Sequence, residues 1–575
     1  MSDAAGGKPN ILFIMFDQLR WDYLSCAGHP HLHTPNIDRL AARGVRFSRA
    51  YVQSPLCGPS RMSTYTGRYV HSHGACFNNV PLKVGERTMG DHLRDGGMDC
   101  WLVGKTHMQA DAAGMARLGL APDSVIGARV AECGFDVWER DDGMRPEGPD
   151  GLYDEGGALA YNAYLRERGY GGGNPWHDHA NSGVDGDGNV LSGWFLENSD
   201  RAANIAEPDS ETPYLTRRAM AFIEAQGDRR WCCHLSYIKP HWPYIVPAPY
   251  HAMFGAEHIL SADRTEGERG DPHPVLAALM EAPVSRAFGR DDVRAKVVAA
   301  YMGLVKQCDD QLGVLFRWLE ETGRMETTLI VVTSDHGDYL GDHWLGEKTF
   351  FHDAAVKVPL IVFDPSPAAD ATRGMVCDHL VESIDLAPTF VDVAGGSSAD
   401  LDHVLEGRSL LPLVRGEGVG TWREHVLCEY DYSATPMAAR LGVSTRDARM
   451  AMIADERWKM VRFEGGFRPI LFDLANDPNE RVDLGGVSRH RGVRDRLADA
   501  LARWAYRPAQ RTTISNEALV AGRGASARKG VLIGAVSETD VAAELGAGYR
   551  NRKAPDMRNG RDADGEGEES RRDPS

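Results

Sequence analysis

Cys57, Gly58, Pro59, Ser60 and Arg61 form the stretch whose residue types point most directly to covalent chemistry. Pro59 suits the first turn of a helix, where its missing N–H leaves no bond unmade. Cys57 therefore falls just outside a helix N-terminus, where free backbone N–H groups and the helix dipole favour an anion. Arg61 follows about one turn later and can reach back to the same spot. A cysteine in this position is either a buried thiol in a tight turn or a nucleophile beside an anion site. The residues elsewhere in the chain decide between the two.

Four apolar runs each end in polar or charged residues. Ile11–Phe16 leads into Asp17 and Gln18, and Asp99–Val103 leads into Gly104, Lys105, Thr106 and His107. Trp231–Tyr237 is followed by Lys239, Pro240 and His241, and Thr328–Thr333 by Ser334, Asp335 and His336. Lys348 and a further strand, Val358–Val362, come next. Short continuous apolar runs mark strands buried on both faces, and open α/β sheets gather their ligands at the carboxyl ends of such strands. Asp17, Gln18, Asp335 and His336, with an atom from position 57, would surround one divalent cation with mostly oxygen donors. That set suits calcium, magnesium or manganese better than zinc. Arg61, Lys105, His107, His241 and Lys348 add positive charge and proton donors. A cation ringed by such groups is what an anionic tetrahedral ester needs as charge builds on its oxygens.

The elements that must position these residues are legible between the runs. Residues 34–44 open on proline and stop on glycine, which predicts a helix; Val45–Val52 predicts the strand that delivers the chain to Cys57. Residues 67–74 read as a turn and Met89–Asp95 as a helix. From 108 to 213 the chain is rich in glycine and aspartate with little periodicity, which predicts a long insertion over the site. Within it, His177-Asp178-His179 lacks a matching pair of ligands and reads as solvent-facing or substrate-contacting rather than metal-binding. The expected fold class is α/β, a large mixed, mostly parallel sheet flanked by helices over residues 1–420. A smaller α+β domain, an antiparallel sheet plus a helix near 493–506, is expected over 421–506. Residues 507–575 read as an arm with a charged, disordered tail, its apolar stretches able to join copies of the chain into a homo-oligomer.

Composition narrows the function classes. The chain has 575 residues, 42% of them apolar, and a net charge of −18 with no basic footprint for nucleic acid. No apolar run approaches a membrane span, and the polar N-terminus does not read as a secretory signal. The ten cysteines form no CxxC pairs, which argues for reduced thiols and a cytoplasmic location.

Cys57-x-Pro-Ser-Arg61 resembles the signature by which sulfatases convert a cysteine to formylglycine. Asp17-Gln18, Gly104-Lys105-Thr106-His107, Lys239-Pro240-His241, Ser334-Asp335-His336-Gly337 and Phe472-Asp473-Leu474-Ala475-Asn476-Asp477-Pro478 resemble further motifs of that family, in order, within the alkaline phosphatase superfamily. Pro55-Leu56-Cys57-Gly58-Pro59, Asn78-Asn79-Val80-Pro81-Leu82, Ala248-Pro249-Tyr250-His251 and Gln18 look like its phosphonate monoester hydrolase and phosphodiesterase branch. That branch carries uncharged side chains at the positions of Lys105 and His107, whereas sulfatases carry this pair.

The resemblance implies an alkaline phosphatase/sulfatase-like fold and one metal, calcium or alternatively manganese, on Asp17, Gln18, Cys57, Asp335 and His336. It implies a maturation enzyme that oxidises Cys57 to 3-oxoalanine, and a small anionic ester as substrate. The hydrated aldehyde would attack sulfur or phosphorus and form a covalent intermediate, with His241 or Lys348 serving the leaving oxygen. His107 would take the proton that lets the intermediate collapse. Arg61 and Asn78 would orient the reacting groups, and Asn78, Lys105, His241 and Lys348 would bind substrate. Sulfate monoester hydrolysis is the expected reaction, with phosphonate monoester or phosphodiester hydrolysis as the alternative. A two-metal phosphatase would need a second ligand set, for which His352-Asp353 is the nearby candidate without matching partners. A binding protein that had lost catalysis would lack some of these residues, and none of the expected ones is missing.

These expectations meet at one atom. After expression with a maturation system, the peptide bearing Cys57 should be lighter by the exchange of sulfur and two hydrogens for one oxygen. An intact thiol in its mass spectrum argues against the scheme.

Overall fold

Ile11 to Phe16 carry no polar side chain and are fully buried. In the structure, a computed structural model describing residues 8–121, 124–131, 133–143 and 159–552, they form the centre of a nine-stranded sheet. Its strands in chain order are β1 (Asn10–Asp17), β2 (Val45–Tyr51), β3 (Asp99–Gly104), β4 (Asp136–Arg140), β5 (Trp231–Pro240), β6 (Thr328–Ser334), β7 (Lys357–Phe363), β8 (Val376–Cys377) and β9 (Val381–Glu382). They lie in the order β8-β2-β7-β6-β1-β5-β3-β4, with β9 also paired to β2. The four strands whose ends carry chemistry, β6, β1, β5 and β3, are thus consecutive neighbours. All pair in parallel, so their carboxyl ends share one edge.

β7 is the exception, antiparallel to both β6 and β2. The chain leaving β6 returns without a crossover helix, and a strand joined that way must reverse direction. Residues 335–356 consequently stay on the functional edge, and Lys348 with them. Leu340, His343, Trp344 and Glu347 in this loop have positive φ, backbone that side chains of this size adopt only under constraint.

The expected helices are present as α1 (Pro35–Arg43) and, at the cysteine motif, α2 (Cys57–Thr66). Every residue of α2 is buried, and Gly67 ends it in the left-handed conformation at φ 65°. The expected turn at 67–74 contains one helical turn, Val70–His73, closed by Gly74. Region 108–213 is more regular than its composition suggests. It contributes β4 to the edge of the main sheet, the helix Ala160–Glu167, a π-helical turn at Trp176–Ala180 and a hairpin pairing Ser182–Val184 with Val190–Ser192. Val137-Trp138-Glu139-Arg140 is too charged to read as a buried strand. At the edge of a sheet it need be covered on fewer sides.

The C-terminal elements are β10 (Val426–Asp431), β11 (Arg449–Ala454), β12 (Trp458–Phe463) and β13 (Ile470–Asp473), an antiparallel meander. The helix Arg491–Ala505 lays Leu497 and Leu501 against Ile453, Trp458, Met460 and Leu471. Residues up to Gln510 form one compact unit that includes both sheets. Arg511 begins a second unit, whose described part has the helices Asn516–Ala521 and Ala543–Arg552 and nearly full exposure of Ile533 and Val536. Among the described residues no helix is long and apolar enough to cross a membrane.

Lys459 on β12 ties the small sheet to the functional loop. It is fully buried, donates to Phe351 O at 3.0 Å and to Asp353 Oδ1 at 2.6 Å, and lies 2.6 Å from Glu480 Oε1. Glu480 accepts the Asp353 N–H at 2.6 Å. Replacing Lys459 by methionine leaves the buried Glu480 carboxylate without its cation, while the partly buried Asp353 keeps Lys357 at 3.7 Å, and stranding a buried charge typically costs about 3–5 kcal/mol. Denaturant unfolding of K459M should show a loss of that order; parental stability would mean that this ion pair does not anchor the loop.

Candidate active site

The strand ends bring a compact donor set together. One ligand atom each from Asp17, Cys57, Asp335 and His336 lies within 4.8 Å of every other, and all four residues are buried. His336 Nε2 is 3.1 Å from Cys57 Sγ and 3.5 Å from Asp17 Oδ1. Two carboxylates, an imidazole and position 57 around one point are a donor set that fits a divalent cation.

Gln18, expected as a fifth ligand, has its Oε1 2.9 Å from Lys348 Nζ, and its amide nitrogen donates to Tyr244 and Asp338. Its backbone is left-handed at φ 68°, with its N–H on Asp335 Oδ1 at 3.1 Å. Gln18 therefore joins the cation-bearing strand end to the Lys348 loop.

Arg61 also departs from its expected aim. It is completely buried, with Nε 2.7 Å from Asp335 Oδ2, Nη2 3.4 Å from Asp17 Oδ2, and Nη1 on Ser236 Oγ and Lys105 O. Arg61 does not line the pocket; it orients the two carboxylates instead. The motif's other residues are explained with it. Ser60 Oγ donates to Asp335 O, Gly58 N–H donates to Asn78 Oδ1 at 2.9 Å, and a Cβ on Gly58 would lie 2.9 Å from that oxygen.

Lys105, His107, His241 and Lys348 all line the cavity beside Cys57, as does Asn78. Lys105 Nζ lies 2.5 Å from Asp17 Oδ2, and Lys348 Nζ lies 3.2 Å from Cys57 Sγ and 3.1 Å from His241 Nε2. Burial pushes the Asp17 carboxyl up, but Lys105, His241, Arg61 and Lys348 together hold it well below the usual carboxylate range. Burial likewise drives His241 and His107 well below the usual imidazole range, Lys105 adding to the effect at both. Both are neutral bases in this environment. Burial, then the Asp17 charge, pushes the Cys57 thiol up to about 11, so the unmodified side chain is a protonated, weak nucleophile near neutral pH.

The cavity is about 380 Å³, and its other wall was not foreseen. Trp176 and Trp194 from the insertion, Trp242 after β5, and Ile238, Leu56 and Met108 supply the apolar part of its lining. The indoles are packed together, Trp194 lying 5.1 Å from Trp242 and 6.4 Å from Trp176 between ring centroids. Of the two histidines of 177–179, His177 supports this wall. His177 Nδ1 accepts from Trp194 Nε1 at 3.1 Å, and His179 Nε2 bonds Gly171 O. Asp142, also missed, reaches the pocket from the end of β4. The signal lay in Arg140-Asp141-Asp142-Gly143, a strand end like the other four but without an apolar run before it. His352 and Asp353 are engaged elsewhere, His352 by the Tyr339 hydroxyl and Asp353 by Lys459.

With this geometry in view, relatives are informative. A family model described as sulfatase matches residues 9–131 and 162–397, and one described as the C-terminal part of N-sulphoglucosamine sulphohydrolase matches 341–506. The multifunctional alkaline phosphatase superfamily protein PehA of Trinickia caryophylli is 31% identical over 88% of this chain and 96% of its own length. The choline-sulfatase of Rhizobium meliloti is 28% identical, over 83% of this chain and 82% of its own. Among solved structures, the phosphonate monoester hydrolase of Silicibacter pomeroyi superposes with a TM-score of 0.77 at 27% identity, covering 89% of this chain and 98% of that one. The chain belongs to the sulfatase family of the alkaline phosphatase superfamily.

Proposed function

We propose that this chain hydrolyses sulfate monoesters through an aldehyde formed from Cys57, in a site that can also take phosphonate monoesters. The observation that carries the reading is the place of Cys57 Sγ, 3.1 Å from His336 Nε2 and 3.2 Å from Lys348 Nζ at the mouth of a helix N-terminus. A nucleophile there attacks the central atom of an anion whose other oxygens meet positive charge. Three cationic side chains, Arg61, Lys105 and Lys348, already outweigh the two carboxylates Asp17 and Asp335. A divalent cation held by Asp17, Asp335 and His336 would add Lewis acidity at the anion, and calcium or manganese suits these donors.

The chain's own residues divide the remaining work. A thiol pushed up to about 11 is a poor nucleophile, whereas a hydrated aldehyde offers one hydroxyl to attack and a second to release the product. Lys348 and His241 stand 3.1 Å apart and can hold a proton at the leaving oxygen. His107, driven neutral by burial, is the base for the second hydroxyl. The indole wall excludes water and favours an apolar, flat leaving group.

The phosphonate reading is supported by a different observation, the likeness to PehA and to the phosphonate monoester hydrolase. Lys105 and His107 favour sulfate. Catalytic efficiency on an aryl sulfate, an aryl phosphonate monoester and an aryl phosphodiester with the same phenol tests the order. Sulfate should lead, and Lys105→Ala should lower sulfate turnover more than phosphonate turnover. Phosphonate leading by a wide margin, untouched by that substitution, would reverse the assignment.

The roles of His241 and Lys348 predict a leaving-group dependence. For H241A, the loss in kcat/KM should grow as the phenol becomes a poorer leaving group. A uniform loss across a series of phenols would remove His241 from proton transfer and leave it a binding residue.

A further inference from the structure

His107 occupies an unusual position. Its backbone is left-handed at φ 55°, and both ring nitrogens are buried without a hydrogen-bond partner among the described residues. No side-chain bond therefore sets the direction of the imidazole. Its aim depends on how firmly the backbone is held in a conformation that a residue with a Cβ resists.

That backbone is held by an ion pair on the neighbouring strand. Asp142 Oδ1 accepts the N–H groups of Thr106 and His107, each at 3.0 Å. Asp142 Oδ2 takes Arg140 Nε at 2.8 Å and Nη2 at 2.6 Å, and the same Nη2 donates to Met108 O at 2.9 Å. Both side chains are almost wholly buried, at 3% and 1% exposure, so the pair is little screened by solvent. β3 and β4 pair in parallel as far as Gly104 and Arg140, and the Asp141 N–H still reaches Gly104 O at 3.0 Å. Beyond that point the Asp142 carboxylate continues the ladder in place of a backbone carbonyl. One rigid ion pair thus grips the loop at three successive residues.

We propose that Asp142, locked by Arg140, is the positioning residue that aims the His107 imidazole at residue 57. Although Asp142 lines the pocket, both its oxygens are engaged, so it acts through His107 and not on the substrate. The inference rests on His107 being the base of the second half-reaction. In that step the free hydroxyl on residue 57 gives its proton to the imidazole, its electron pair forms the aldehyde C=O, and the bond from that carbon to the ester oxygen breaks with its pair on the departing sulfate. Misplacing a base by about an ångström can cost on the order of a hundredfold in rate. Slowing this step alone lowers kcat and KM together and leaves kcat/KM unchanged, because kcat/KM reports only steps up to formation of the ester.

The test compares Asp142→Asn, Arg140→Lys and His107→Ala in the matured enzyme with an aryl sulfate. Asparagine is isosteric, but it must set an N–H group against either Arg140 or the two backbone donors, so it breaks one side of the clamp without creating a cavity. Lysine at 140 cannot serve Asp142 and Met108 O at once. For D142N the expected result is a fall in kcat of roughly ten- to a hundredfold with kcat/KM kept, a retained burst of phenol, and the ester on residue 57 in the quenched protein's mass spectrum. R140K should show the same pattern more weakly, and it carries the test if D142N does not fold. If H107A accumulates the ester while D142N and R140K turn over like the parent, or lose kcat/KM as steeply as kcat, the clamp has no such role. If H107A does not accumulate it, the assignment of His107 fails, and the clamp's purpose fails with it.

Discussion

Asp17 and Asp335 are two fully buried carboxylates bridged by the equally buried guanidinium of Arg61, and the rest of the site depends on this grouping. Such an arrangement is costly to desolvate, and breaking one member strands the others' charge. It persists because the surroundings satisfy it closely. Arg61 is bound by two carboxylates, a carbonyl and two hydroxyls, while Asp17 meets Lys105 as well. The surplus of positive charge lies on the pocket side, at Lys105 and Lys348, where an anion would arrive. Structure and chemistry here share a cause: the charges that orient the carboxylates also prepare the pocket for an anionic ester.

Topology brings these groups together, with a local register shift between Phe16 and Asp17 where the central strand reaches the site. Consecutive parallel strands place Asp335, Asp17, His241 and Lys105 along one edge, and α2 delivers Cys57 to it. The single antiparallel strand keeps the Lys348 loop on that edge, and Lys459 of the small sheet pins the loop's far end. The backbone is strained where it faces the pocket: Asn79, His107 and Glu347 all have positive φ. Strain of this kind survives only where neighbours over-determine it, and at His107 the Arg140–Asp142 pair does so.

What could be read in the sequence follows from how each residue is recruited. Residues placed by a buried strand were legible because an apolar run stopping in Asp, Lys or His is a local pattern. Asp17, Lys105, His241, Asp335 and His336 were found that way, as were the sheet and the small antiparallel meander. Arg61 was found by spacing, but its direction was misjudged, since the position of two carboxylates distant in sequence decides which way a guanidinium turns. The contacts of Gln18 with Lys348, Tyr244 and Asp338 were not legible for the same reason. Trp176 and Trp194 left no local signal, because the insertion reaches the pocket by tertiary packing, and the strand end at Asp142 was passed over because its edge strand has little apolar character.

The strand ends are expected to form one single-cation centre around residue 57. Anomalous diffraction from crystals grown with manganese tests it most directly. One strong peak bounded by Asp17, Asp335, His336 and the side chain of residue 57 is expected, with His352 and Asp353 uninvolved. A second peak at His352 and Asp353, or a cation bound away from residue 57, would contradict it.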